Sequence, residues 1–103
     1  MKILTDCFDR RIRLTDERLA HIIQHPELAS MESEIERVLQ RPVLVRRSRS
    51  DPNASLFYLF YPQTAVGGKW LCVVVKYEEA DAFVVTAYLT NRPKDGEELW
   101  PTK

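Results

Sequence analysis

The chain has 103 residues, room for one compact domain and not for two. Its 45% hydrophobic and 29% charged residues, with three glycines and six prolines, match a globular protein and argue against disorder or fibrous repeats. Fifteen Lys and Arg balance fifteen Asp and Glu, so no bulk field draws the molecule to nucleic acid or an anionic membrane, and any phosphate site must be local.

The opening Met1 to Cys7 segment lacks an apolar core of signal-peptide length, and no run approaches the roughly 18 apolar residues of a membrane span. A cytoplasmic protein without membrane contact is the expectation. Arg11-Ile12-Arg13-Leu14 alternates polar with apolar and suits a short edge strand or an extended lead-in. Thr15-Asp16-Glu17 then offers a side-chain cap and two acids at the positive end of a helix dipole. Leu19, Ile22 and Ile23 form the apolar stripe of that helix, and Pro26 places its end near Gln24 or His25. A second helix opens near Ser30, with Met31, Ile35, Val38 and Leu39 on one stripe, and closes before Pro42.

Four runs rich in β-branched and aromatic residues follow: Val43 to Arg47, Leu56 to Tyr61, Trp70 to Tyr77 and Phe83 to Thr90. Turn residues separate them, notably Ser50-Asp51-Pro52-Asn53 and Gly67-Gly68. The expected fold is α+β, one domain over residues 1–103, with two N-terminal helices on one face of a four-stranded antiparallel sheet and an irregular tail from about residue 91. Alternation assigns Leu71, Val73, Val75, Phe83, Val85 and Ala87 to the helix side. The other side carries Trp70, Cys72, Val74, Lys76, Val84, Thr86, Tyr88 and Thr90.

His21 and His25 stand four apart on the first helix, away from its apolar stripe. Imidazoles so placed can act as acid and base around a phosphate or bind a metal. Ile22 occupies the position of the glutamate in HExxH, which excludes a zinc protease of that type. A plain zinc site needs a third ligand that no further His or paired Cys supplies. The plain alternative makes His25 a helix-end residue and His21 a solvated one. Cys7 and Cys72 lack metal-ligand or disulfide-framework spacing and read as structural.

Between Arg37 and Ser50 lie Arg37, Arg41, Arg46, Arg47 and Arg49 and not one acid. Their planar forks suit phosphate oxygens, and a solvated basic rim paired with Glu32, Glu34 and Glu36 would use the same letters. Lys76 ends an apolar strand, and Thr86 and Tyr88 put hydroxyls on one face of the last strand. Together they suit a developing phosphorane, or else serve edge protection and β propensity. Tyr58, Tyr61 and Tyr77 either stack on bases or cover the sheet.

Read together, Arg13-Leu14-Thr15, the HIIQHPE run from His21 to Glu27, Leu39-x-x-Pro42, VVVKY (Val73 to Tyr77) and VVTAYL (Val84 to Leu89) resemble the phage-associated BECR nuclease-like families. That group joins barnase, EndoU, colicin and RelE-like domains, and the resemblance spans roughly Ile12 to Trp100. It implies a metal-independent ribonuclease built as two helices before a four-stranded antiparallel sheet. It further implies a bacterial or phage source and a toxin-type role with a protein antitoxin. The site would combine a helix histidine, a strand lysine and a Thr or Ser in the last strand: here His21 or His25, Lys76 and Thr86.

The leading expectation is therefore an endoribonuclease that acts on RNA without a cofactor or metal. One histidine takes the proton of a ribose 2′-hydroxyl, and the other, or Tyr88, protonates the leaving oxygen. Lys76 with Arg46 neutralises the phosphorane, Thr86 orients an oxygen, and Arg46, Arg47, Arg49 and Tyr58 hold the substrate. The competing class is a binding module for RNA or a partner protein that uses the exposed sheet face without turnover. An enzyme acting on a small phosphorylated substrate is a third possibility.

Overall fold

The computed structural model describes residues Met1 to Thr102. A hairpin comes before the helices. Lys2–Thr5 (β1) pairs antiparallel with Arg11–Leu14 (β2), and Leu4, Ile12 and Leu14 are buried. Helix α1 spans Asp16–Ile23, capped as expected by Thr15, whose hydroxyl accepts from the Arg18 amide at 3.1 Å. A 3-10 turn at Pro26–Leu28 leads to α2, Glu32–Gln40, which buries Ile35, Val38 and Leu39. The remaining strands are Leu44–Arg47 (β3), Ala54–Tyr61 (β4), Lys69–Glu78 (β5), Asp81–Thr90 (β6) and Glu98–Trp100 (β7).

These strands make one mixed sheet in the order β1-β2-β6-β5-β4-β3-β7. The expected four-stranded antiparallel sheet behind two N-terminal helices is thus corrected to seven strands, with a hairpin leading the helices. The β2–β6 pair is parallel, Arg13 opposite Phe83, because the chain between them passes through both helices and three strands before it returns. Arg13 fixes that contact: its guanidinium reaches both carboxylate oxygens of Asp81 and lies 5.4 Å from the Phe83 ring centre. The tail expected to be irregular contributes β7, whose Trp100 pairs with Val45 and packs edge-on against Phe8, 5.6 Å between ring centres.

The faces also differ in one strand from strict alternation. Val74 pairs with Thr86 but Val75 pairs with Val84, so Val85 is an extra residue, a β-bulge. The bulge reverses the assignment on one side of it. Val84 and Ala82 join Leu71, Val73, Val75 and Ala87 in the core beneath the helices, while Phe83 turns to the other face opposite Lys76. Val84 was expected on the open face, and Phe83 and Val85 under the helices.

The hairpin loop is organised by Asp6, which is 3% exposed. Its carboxylate accepts from the amides of Phe8 and Arg10, both at 2.9 Å, from Arg10 Nε at 3.1 Å and from the Tyr77 hydroxyl at 3.0 Å. The Arg10 guanidinium lies 3.8 Å from the centre of the Tyr77 ring. Asp9 completes the turn at φ 62, a left-handed conformation in which Asp is among the few side chains often found. Burial, and secondarily the Asp6 charge, raise the Tyr77 phenol well above its ordinary value. Tyr77 is therefore a fixed donor in this loop and not a base-stacking surface. Substituting Asp6→Ala leaves several donors unpaired, and equilibrium urea unfolding should show a loss of about 2 to 3 kcal/mol. A loss below about 0.5 kcal/mol would mean that this network is not structural.

Candidate nucleic-acid interface

On the face away from the helices, alternation along β4, β5 and β6 presents Leu56, Tyr58 and Phe60, then Trp70, Cys72, Val74 and Lys76, then Thr86, Tyr88 and Thr90. This face is not bare, because the chain after β6 folds back across it. The Lys94 amide donates to the Tyr58 hydroxyl at 3.1 Å, and Arg46 donates to the Lys94 carbonyl oxygen at 2.7 Å. Arg47 holds the far end of this segment, its Nε donating to Glu97 Oε1 at 2.8 Å and its backbone amide to the Glu97 carbonyl. Gly96 passes so close to β3 that a Cβ there would collide with the Arg47 carbonyl oxygen.

Between this segment and the β3–β4 connection lies an open groove of about 890 Å³. Leu56, Val74, Thr86, Tyr88 and Thr90 form its floor, Ser48, Arg49 and Ser50 one wall, and Arg92, Pro93, Lys94 and Asp95 the other. Three cations against one carboxylate leave a local charge of +2 on a chain of zero net charge. Among the described residues, the guanidinium groups of Arg49 and Arg92 make no hydrogen bond or salt bridge, and both residues are exposed, while the Arg92 carbonyl oxygen accepts from the Thr90 hydroxyl at 3.1 Å. Lys94 Nζ lies 5.6 Å from the centre of the Tyr88 ring.

The Tyr88 hydroxyl is buried beside the Cys72 thiol and the Tyr58 hydroxyl. Burial raises its pKa far above the ordinary phenol value, so at neutral pH Tyr88 donates a proton and does not remove one. Burial likewise pushes Tyr58 to about 12 and Cys72 to about 11.

The expected site residues divide between two sides of the sheet. Thr86, Tyr88 and Arg49 meet in the groove. Lys76 shares their face, but its ammonium is held by Asp51 Oδ2 at 3.0 Å, and that hydrogen bond lowers the Asp51 carboxyl below its ordinary value. Arg46 and Arg47, expected to hold substrate, instead pin the 91–97 segment. Tyr58 is fully buried beneath it and serves as its acceptor. Tyr61 faces the core side, donating to Glu34 of α2 at 2.7 Å.

The histidines lie elsewhere. They sit exposed on α1 and at its end, and α1 packs through Ile22 onto the opposite side of the sheet. His21 faces a shallow surface hollow with Thr15, Arg18 and Gln24, sharing no residue with the groove. The imidazoles stand edge to face with centres 6.5 Å apart, and His25 Nδ1 is 3.7 Å from Glu27 Oε1. Among the described residues, no group of three or more His, Cys, Asp or Glu is placed to hold a metal. No described helix is long and apolar enough to cross a membrane.

Lys94 and Arg92 escaped the sequence reading because they belong to a stretch with no strand or helix pattern. Pro93 and Gly96 marked it as a loop, and nothing in the letters showed that it recrosses the sheet. No protein-family model, curated protein or solved structure matches the chain. Its functional reading therefore rests on the geometry of this groove.

Two consequences are measurable. A Gly96→Ala substitution forces the wall of the groove away from β3 and should cost about 1 to 3 kcal/mol in urea unfolding. It should also speed hydrogen exchange of the Lys94 amide, and unchanged exchange would show that the wall is not held at Gly96. Burial raises both thiols from 9.0 to about 11, in Cys7 as in Cys72. The native state therefore binds these protons more tightly than the unfolded state, and their contribution to stability is complete below about pH 9 and declines toward pH 11. Alkylation of Cys72 at pH 8 should be slow until denaturant is added, and fast labelling of Cys72 in folded protein with Cys7→Ser would contradict its burial.

Proposed function

We propose that this protein binds RNA through the groove on the helix-free face of its sheet, with Arg49, Arg92 and Lys94 on the phosphates. The observation that carries this reading is the convergence, in an otherwise neutral molecule, of three exposed cations around one open groove whose floor presents the Thr86 hydroxyl. Arginine forks engage phosphate oxygens in pairs, whereas Lys94 supplies a point charge. Thr86 offers a hydroxyl donor to sugar or phosphate oxygens, while the Thr90 hydroxyl is spent on the Arg92 carbonyl oxygen and steadies that wall of the groove. Because the charge is local, binding is modest and strongly dependent on salt.

The histidine-driven cleavage expected from the sequence has no support in this arrangement. A general base must come within hydrogen-bond reach of the 2′-hydroxyl, directly or through one water. His21 and His25 project from a helix on the other side of the sheet from Thr86, and Lys76 is occupied by Asp51. The binding module is thus the better reading of the two.

Anisotropy of a labelled single-stranded RNA, titrated at several salt concentrations, tests it. Three phosphate contacts predict a slope of about −2 in log K against log salt. Arg92→Ala and Lys94→Ala should each weaken binding several-fold and make that slope shallower by about 0.7. The double variant H21A/H25A should bind as the parent does. Equal binding by the parent and a variant lacking all three groove cations would refute the proposal. RNA cleavage in chelator that vanishes in H21A/H25A would restore the catalytic reading.

A further inference from the structure

We infer that Phe60 and Trp70 form a stacking shelf for an unpaired base, so that the RNA taken by this groove is single-stranded; this rests on the proposed RNA binding. The two rings lie on the groove's own face. Phe60 follows Leu56 and Tyr58 along β4, and Trp70 precedes Cys72 and Val74 along β5. Leu56 lines the groove, and four residues of strand, roughly 13 Å, separate it from Phe60. Trp70 sits opposite Phe60 on one side and opposite Thr90, a groove residue, on the other. Cations and aromatics therefore follow one another along a single continuous surface.

The geometry of the rings suits a base better than a packing partner. Phe60 is 45% exposed because β4 runs past the end of β3, whose pairing stops at Leu44 opposite Tyr58, so that Phe60 has a neighbour only in Trp70 of β5. Its ring meets Trp70 edge to face, with centres 5.4 Å apart and planes at 67°. Trp70 in turn meets the buried Tyr58 at 87°, so the indole is braced from one side by a fixed ring. Gly68 in the turn has no side chain, and a Cβ there would already press on Phe60 Cζ at 3.3 Å. An apolar shelf next to a basic wall is complementary to a nucleotide, which joins a flat apolar base to an anionic phosphate. A duplex buries its base faces in its own stack and offers this shelf nothing.

The test compares a labelled six-adenosine RNA, an abasic oligonucleotide of equal length and an RNA duplex, against the parent, Phe60→Ala and Phe60→Tyr. Phe60 is exposed, so these variants keep the core. The expected result is that Phe60→Ala weakens the adenosine oligomer about ten-fold, that Phe60→Tyr restores it, and that neither alters abasic binding or its salt slope. Single-strand binding should quench the fluorescence of Trp70, followed in a Trp100→Phe background. If Phe60→Ala binds the adenosine oligomer as the parent does, or the parent binds duplex equally well, the shelf is overturned while the groove cations stand. If the parent binds neither the RNA nor the abasic oligomer, the RNA reading fails and takes the shelf with it.

Discussion

Lys94 is held at both ends of its peptide unit's polarity, its amide by the Tyr58 hydroxyl and its carbonyl by the Arg46 guanidinium. These two bonds turn a connecting segment into the wall of a groove. They also account for the burial of Tyr58 on a sheet face that carries no helix, since a phenol there must find a partner once covered. Arg47 and the missing side chain of Gly96 extend the same attachment to the edge, where Glu98–Trp100 joins the sheet. Loss of that attachment would open the groove without touching the hydrophobic core on the other face.

The two faces thus follow different chemistries. Beneath the helices, Ile22, Ile35, Val38 and Leu39 meet Phe57, Leu71, Val73 and Val75 in a buried apolar core, and the sheet is held by burial. On the opposite face a small cluster of Leu56, Tyr58 and Cys72 is sealed by Leu44, Trp70, Val74 and Tyr88, and the exposed Arg49, Arg92 and Lys94 stand around it. The bulge at Val85 lies where these demands meet: on one side of it Thr86 and Tyr88 face the groove, and on the other Val84 and Ala82 face the core.

Several individual elements were legible in the letters, but the seven-stranded mixed sheet that joins them was not. The Thr15 cap, the stripe of Ile35, Val38 and Leu39, and the long strands around Val73 and Tyr88 each carry strong local signals. What escaped was set by long-range pairing. Lys2–Thr5 does not alternate, and Glu98–Trp100 is too short to announce itself; each is a strand only because a neighbour offers an edge. The bulge escaped because period-two counting assumes that no residue is inserted. For the site, the arginines of β3 were visible as a basic run, but their targets lie about 50 residues later in sequence, at Lys94 and Glu97, and pairing at that range leaves no periodic trace. The histidine pair failed for a related reason. Its spacing places both imidazoles off the apolar stripe of a helix, yet says nothing about which face of the sheet that helix covers.

The central claim is that ligand occupies the face of the sheet turned away from the helix histidines. Amide chemical-shift mapping during titration with a short single-stranded RNA tests it most directly. The account predicts saturable shifts at Arg49, Thr86, Tyr88, Thr90, Arg92 and Lys94, with His21, Gln24 and His25 unmoved. Shifts that centre on His21 and His25 and spare Lys94 would contradict it.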